Sequence, residues 1–333
     1  MRSIRQIRLD ALPKFWVLAL TALALVCVPL LTMAVTVNDL YSATVRVADR
    51  SVSARDQAVG EALAVVLTKL SGQKALAVRV ASAQTDTARL VQRVGYVSGG
   101  QLEVGFDSER INSLLDQSGM PFWDRIRPVL LIVLPGALQG LPEVRAALEL
   151  AARDRGLPIV WAITENSDVF ASKGFSQIQA LGAQYGAQPV LLAGMFGDTP
   201  SSVGASANLR WQLVFDGGSQ EWSGIPEEGV GFTAEQLSRY YAVSGKQVSQ
   251  HLLEVSGVGS VQSYGQITNY LSSLLTVRRV SVQALKGDVL HLQLEVRGTQ
   301  TTLRRLLAVD KQLIEHEPST AEAADVLRYR YNP

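Results

Sequence analysis

Thiol and imidazole chemistry are scarce in this sequence. Cysteine occurs once in 333 residues, at Cys27, and histidine three times, at His251, His291 and His316. Cys27 falls inside the N-terminal apolar segment, so the chain beyond residue 34 has no cysteine. Disulfides, thiolate catalysis and cysteine metal sites are excluded for that part. Signature motifs are missing too. There is no G-x-S-x-G elbow. There is no G-x-x-x-x-G-K-[ST] loop, since Gly245-Lys246 is followed by Gln247, no G-x-G-x-x-G after a strand and no H-E-x-x-H. No charge sign dominates: 31 basic residues stand against 30 acidic ones. Nucleic-acid binders usually show a basic face. Here only Arg278-Arg279 and Arg304-Arg305 form basic doublets, so no nucleic-acid partner is expected.

What the sequence does carry, first, is an export leader. Arg2, Arg5, Arg8 and Lys14 precede Phe15–Ala34, a run without charge. A positive segment, an apolar segment and small residues at the end are the parts of a signal peptide. Thr32-Met33-Ala34 places the expected cut after Ala34. The alternative is an uncleaved anchor, because the run is long enough to span a bilayer. Membrane contact is then expected only through residues 15–34. Without the leader the chain holds 27 basic and 29 acidic residues. A periplasmic location by the general secretory route follows as the expectation, with an anchored inner-membrane protein as its alternative.

Beyond the leader, the periodicities predict an α/β and α+β chain of several small modules in series. Val37–Val47 alternates as a strand, and Ser53–Leu70 carries a helical stripe ended by Ser71-Gly72. Arg89–Val97 and Gln101–Phe106 read as a hairpin, and Asp107 caps a helix with Ile111, Leu114 and Leu115. This is the N-terminal module, 38–122. A central module, 128–224, follows. Val129–Leu134, Leu157–Ile163 and Pro189–Met195 are buried strands separated by helices, which predicts a mixed sheet with parallel crossovers. The first of those helices starts at Pro142, with Ala146, Ala147, Leu150 and Ala151 as its face. Leu209–Phe215 and Gln220–Gly224 form a hairpin that places Trp211 against Trp222. Thr233 with Gln236 spells a capping box for a helix reaching Leu252. Strand Leu253–Val258, helix Tyr264–Leu275, strands Val277–Gln283 and Val289–Val296 and helix Thr299–Leu307 give a C-terminal split βαβ module, 233–310. A polar tail, 317–333, ends in a late strand, Leu327–Tyr331.

Few residues suggest chemistry. His291 lies in a predicted strand and His251 on the predicted helix. Either can serve as a general base only with an oriented partner. Glu315-His316-Glu317 and Glu227-Glu228 read as solvated loops, and the tryptophans as core. No catalytic, cofactor-binding or metal-binding residue is assigned, and no cofactor is expected. Trp123, Arg127 and Trp211 mark where a pocket is to be sought.

The residues Phe106-Asp107, Asn112, Leu114-Leu115, Gly119, Pro121, Trp123 and Arg127-Pro128 carry a resemblance. So do Leu40-Tyr41, Val45, Val47-Ala48-Asp49, Ala54-Arg55, Ala58, Leu67, Leu70-Ser71-Gly72, Arg155-Gly156-Leu157-Pro158, Tyr185-Gly186-Ala187 and Trp211. Together they resemble the bacterial family of domain of unknown function 2066. That resemblance implies an exported protein of Gram-negative bacteria and no activity. Pro128–Gly224 also looks like the N-terminal α/β modules of periplasmic assembly proteins such as those of the Tol system and the flagellar outer rings, a likeness of fold alone. The expected function is a non-enzymatic periplasmic binding or assembly factor, partnered by another envelope protein or a cell-wall component. The alternative is a periplasmic hydrolase acting on wall or glycan through carboxylates that meet only in space.

Overall fold

The computed structural model describes residues 34–163, 174–195, 206–316 and 326–333. The expected leader therefore lies outside the described residues, apart from Ala34. No helix among the described residues is long and apolar enough to cross a membrane.

The chain is an α/β and α+β protein, as its periodicities predict. Strand β1 (Ala34–Thr36) pairs with β6 (Ile126–Pro128). Three antiparallel strands, β2 (Ser42–Arg46), β3 (Val91–Val97) and β4 (Gln101–Phe106), make the first sheet in the order β2-β4-β3. Helix α1 (Val52–Ser71) packs on that sheet through Leu63, Val66, Leu67 and Leu70. Ser51 caps its start by accepting from the Ala54 amide, and Gly72 ends it at φ 72°. A second helix, α2 (Lys74–Ser82), follows at once and is not among the elements expected from the periodicities. Helix α3 (Ser108–Ser118) is capped by Asp107, as expected, and closed by Gly119 at φ 64°. The two-residue strand β5 (Pro121–Phe122) completes this part.

The central sheet holds β7 (Leu130–Val133), β8 (Ile159–Trp161), β9 (Val190–Gly194), β10 (Leu209–Phe215) and β11 (Gly218–Gly224), in the order β11-β10-β9-β7-β8. Strand β7 runs parallel to β8 and β9, and the rest pair antiparallel. After the short turn α4 (Gly136–Gln139) comes α5 (Pro142–Arg155), which covers one face together with α7 (Pro226–Tyr241). Helix α6 (Phe175–Gln184) covers the other through Ile178. Coverage on both sides is why β7 and β9 are apolar throughout.

The C-terminal sheet has the order β14-β15-β13-β17-β16, from β13 (Val248–Ser256), β14 (Val277–Lys286), β15 (Val289–Arg297), β16 (Leu313–Glu315) and β17 (Val326–Tyr331). Its inner face packs on α8 (Val261–Ser273) and α9 (Gln300–Asp310). The last strand, β17, lies inside the sheet and runs parallel to β13, so residues 326–331 are not a free tail.

Five readings change. The helix expected over Thr233–Leu252 is instead α7, starting at Pro226. Thr233 is buried in mid-helix, where its hydroxyl donates to Gly229 O. The cap is Ile225, whose amide donates to the Glu228 carboxylate, so Glu227-Glu228 form a first helical turn and not a loop. The chain then turns through β12 (Val243–Ser244), so His251 sits on β13 and not on a helix. Finally, α5 buries Val144, Leu148, Ala151 and Ala152, leaving Leu150 49% exposed. That rotation creates the site described next.

Candidate binding groove

Helices α1 and α5 end side by side, and a buried guanidinium joins their ends. Arg127, fully buried, donates from Nη2 to Lys69 O (2.5 Å) and Trp123 O (3.3 Å). Its Nη1 donates to Arg155 O (2.9 Å) and Gly156 O (2.8 Å), and its Nε to Asp124 O (2.9 Å). The Trp123 ring centroid lies 4.0 Å from the guanidinium carbon. Burial lowers the arginine's pKa, and the Asp124 and Asp39 carboxylates oppose that shift. Carbonyls at helix C-termini carry the negative end of the helix dipole, so they favour a cation. Gly156 turns at φ 58°, and a Cβ there would lie 2.9 Å from Arg127 Nη1. Asp124, also fully buried, accepts from the Arg125 amide (2.7 Å) and the Thr276 amide (2.8 Å), which ties in the C-terminal part. Burial raises its pKa, and those two amides oppose the shift.

Beside this joint lies a cavity of about 370 Å³. Helix α1 contributes Ala64, Val65 and Thr68, and α2 contributes Lys74 and Val78. Helix α5 contributes Ala147, Leu150, Ala151, Asp154 and Arg155, spaced so that 147, 150, 151 and 154 form one stripe. Ile225 and Glu227, at the start of α7, close the end. Small residues keep the facing helices close while Val65, Val78, Leu150 and Ile225 make an aliphatic lining. Thr68 supplies the one hydroxyl side chain of this lining, and it donates to Ala64 O (2.7 Å).

The charged groups divide into matched and unmatched. Lys74 Nζ donates to Glu227 Oε1 at 2.7 Å, and Arg155 Nη1 lies 3.4 Å from Glu235 Oε1. Lys69 is buried and turned away, its Nζ donating to Ser42 O (2.9 Å) and Asp39 O (3.2 Å). The Lys74 hydrogen bond holds Glu227 below the usual carboxylate range. Asp154 behaves oppositely: burial raises its pKa, with Lys69 and Arg153 pulling it back. A half-buried carboxylate with a raised pKa binds a proton more strongly folded than unfolded. Its contribution therefore makes the fold less stable as pH rises through the folded value. Asp154→Asn removes that penalty. Thermal melts at neutral pH are expected to show a Tm on the order of 1–2 °C higher than the parent, with the gap closing in acid.

The residues singled out from sequence are dispersed. Trp123 and Trp211 are fully buried, so neither they nor Arg127 line a pocket. Trp211 faces Trp222 across the hairpin, as expected, and its Nε1 donates to Gly224 O. His251 Nε2 lies 2.8 Å from Ser249 Oγ, but that hydroxyl donates to Gly298 O, so the serine is not set for proton transfer to the imidazole. His291 Nδ1 lies 3.5 Å from Glu254 Oε1 on the open face of the C-terminal sheet. Glu315 lies on β16 and not in the expected loop, and pairs with Arg304 on α9, while Glu317 lies outside the described residues. Among the described residues no three His, Cys, Asp or Glu side chains gather as a metal site. The periodicity of Ala77 and Ala81 was the available signal for α2, and the stripe 147–150–151–154 was the signal for the groove.

The fold and the groove together define a multi-sheet α/β protein with an aliphatic cleft between helices. Residues 34–124 match the family described as Domain of unknown function (DUF8605). This overturns the resemblance to domain of unknown function 2066. Several positions that carried it, Gly72, Asp107, Gly119 and Gly156, are helix caps that any such α/β module needs. No curated protein and no solved structure matches the chain, so the likeness of Pro128–Gly224 to Tol and flagellar modules gains no support.

Proposed function

We propose that this protein is an exported, non-catalytic binding or assembly factor of the bacterial envelope, and that the groove between α1, α2 and α5 is its binding site. The observation that carries this reading is the cavity itself. Its volume falls in the range of ligand sites, which are concave and mostly apolar with a few placed polar groups. Val78 and Leu150 continue the aliphatic surface onto its lips, 46% and 49% exposed. The apolar run at Phe15–Ala34 supports export.

Two measurements test the proposal. N-terminal sequencing of the exported protein is expected to begin at Val35, and Met1 would make it a tethered protein. The purified chain is expected to bind an apolar fluorescent dye at one saturable site. Leu150→Glu should weaken that binding about tenfold, the scale of a hot-spot residue, without lowering the Tm. Absence of saturable binding would sink the reading.

A second reading has one specific observation behind it. Asp154 and Glu227 share the groove with pKa values displaced in opposite directions, as the carboxylates of acid–base pairs are. Against it, Lys74 occupies Glu227, and among the described residues no aromatic ring lines the groove to stack on a sugar. Turnover of a cell-wall glycan, abolished by Asp154→Asn and by Glu227→Gln separately, would favour the hydrolase.

A further inference from the structure

Among the described residues, Asp154 is the one acid of the groove without a hydrogen bond or ion pair. Glu227 is matched by Lys74. Arg155 is matched by Glu235, and Lys69 by Asp39 and the Ser42 carbonyl. Arg153 precedes Asp154 on α5 and is exposed, outside the lining. The groove thus presents an aliphatic channel with an unpartnered, half-buried carboxylate in its lining.

Resting on the reading of the groove as a binding site, we propose that its occupant is a lysine side chain of a partner polypeptide, flanked there by aliphatic residues. A lysine matches both features at once: its four-carbon stem lies along apolar surface while its ammonium reaches a polar group. Asp154 receives the ammonium, and Ala147, Ala151 and Val65 contact the stem. The lips favour a polypeptide over a free alkylamine. Val78 on α2 and Leu150 on α5 line the groove from different helices and stand nearly half exposed, where neighbouring side chains of the same partner would cover them. An ammonium also answers the electrostatic fault in the site, because it offsets the desolvation that raises the Asp154 pKa. Binding therefore releases protons at a pH where Asp154 is partly protonated, and affinity rises with pH.

The test uses the full chain and fluorescein-labelled helical peptides read by anisotropy. Each peptide carries leucine one turn before and one turn after a central lysine, norleucine or glutamate. The lysine peptide is expected to bind about tenfold tighter than the other two at neutral pH, the scale of a desolvated charge pair. That preference should vanish in Asp154→Asn, which should still bind the norleucine peptide like the parent. The lysine peptide's affinity should fall as the pH is lowered and Asp154 protonates, while the norleucine peptide's stays flat. Equal binding of lysine and norleucine peptides overturns the inference, and so does a lysine preference that survives in Asp154→Asn. In both cases a loss of binding in Leu150→Glu leaves the groove itself standing. Tighter binding of n-octylammonium than of the lysine peptide overturns the assignment to a polypeptide. If no peptide binds and the apolar dye does not bind either, this inference and the proposed function fall together.

Discussion

Arg127→Met is expected to destabilise the chain by about 3–5 kcal/mol, the scale of breaking a buried charged network. Domains typically hold about 5–15 kcal/mol in total, so the variant should be near its folding limit. The methionine approximates the volume but offers no donor. Lys69 O, Arg155 O and Gly156 O would each lose the N–H that reaches them across the joint, and an unsatisfied buried polar group costs about 1–3 kcal/mol. Arg127→Lys keeps the charge but not the planar fork, which in the parent reaches α1 and α5 at the same time. It should fall between the two. Urea unfolding with near-UV circular dichroism reads the loss, and dye binding to the surviving folded fraction reads the groove. A Tm within about 2 °C of the parent for Arg127→Met would show that the guanidinium is not what holds these helix ends together.

Gly72→Ala should also cost about 2–5 kcal/mol, through two separable effects. Gly72 sits at φ 72°, where a Cβ costs roughly 1–2 kcal/mol. That Cβ would also fall well inside contact distance of Ser238 Cβ and Oγ on α7, and overpacking of this kind costs about 1–3 kcal/mol. Ser238→Gly removes the obstruction while leaving the backbone penalty. A double-mutant cycle should therefore recover part of the loss, and strict additivity of the two substitutions would refute the clash. Because Gly72 leads directly into α2, the variant should weaken dye binding as well, through a displaced Lys74 and Val78.

These two residues differ in how far the sequence reveals them. Gly72 is legible: it follows a long helical stripe, and its role as a cap depends on neighbours within one turn. Asp107 and Pro142 are legible for the same reason. Arg127 is different. The sequence marks it for a surface pocket, whereas it is fully enclosed, and three of its hydrogen-bond acceptors lie 28, 29 and 58 residues away in sequence. The capping-box pattern at Thr233 misled because the same hydroxyl can donate to a carbonyl one turn back when buried in a helix. His251 was then carried onto a helix that the chain had already left.

The sequence by itself determined most helices and strands with strong periodicity, most of the caps that bound them, the buried strands of the central sheet and the cysteine-free chain beyond residue 34. These depend on interactions that close within about five residues or on composition alone. Only the tertiary structure decided which side of α5 faces the core, that β17 enters the C-terminal sheet beside β13, and that Val65, Val78, Leu150, Asp154 and Glu227 meet in one groove. The physical reason is separation. Those groups come from three stretches of chain centred near residues 70, 150 and 226, and the hydrogen bonds by which Arg127 joins the first two, to Lys69, Arg155 and Gly156, have no local signature.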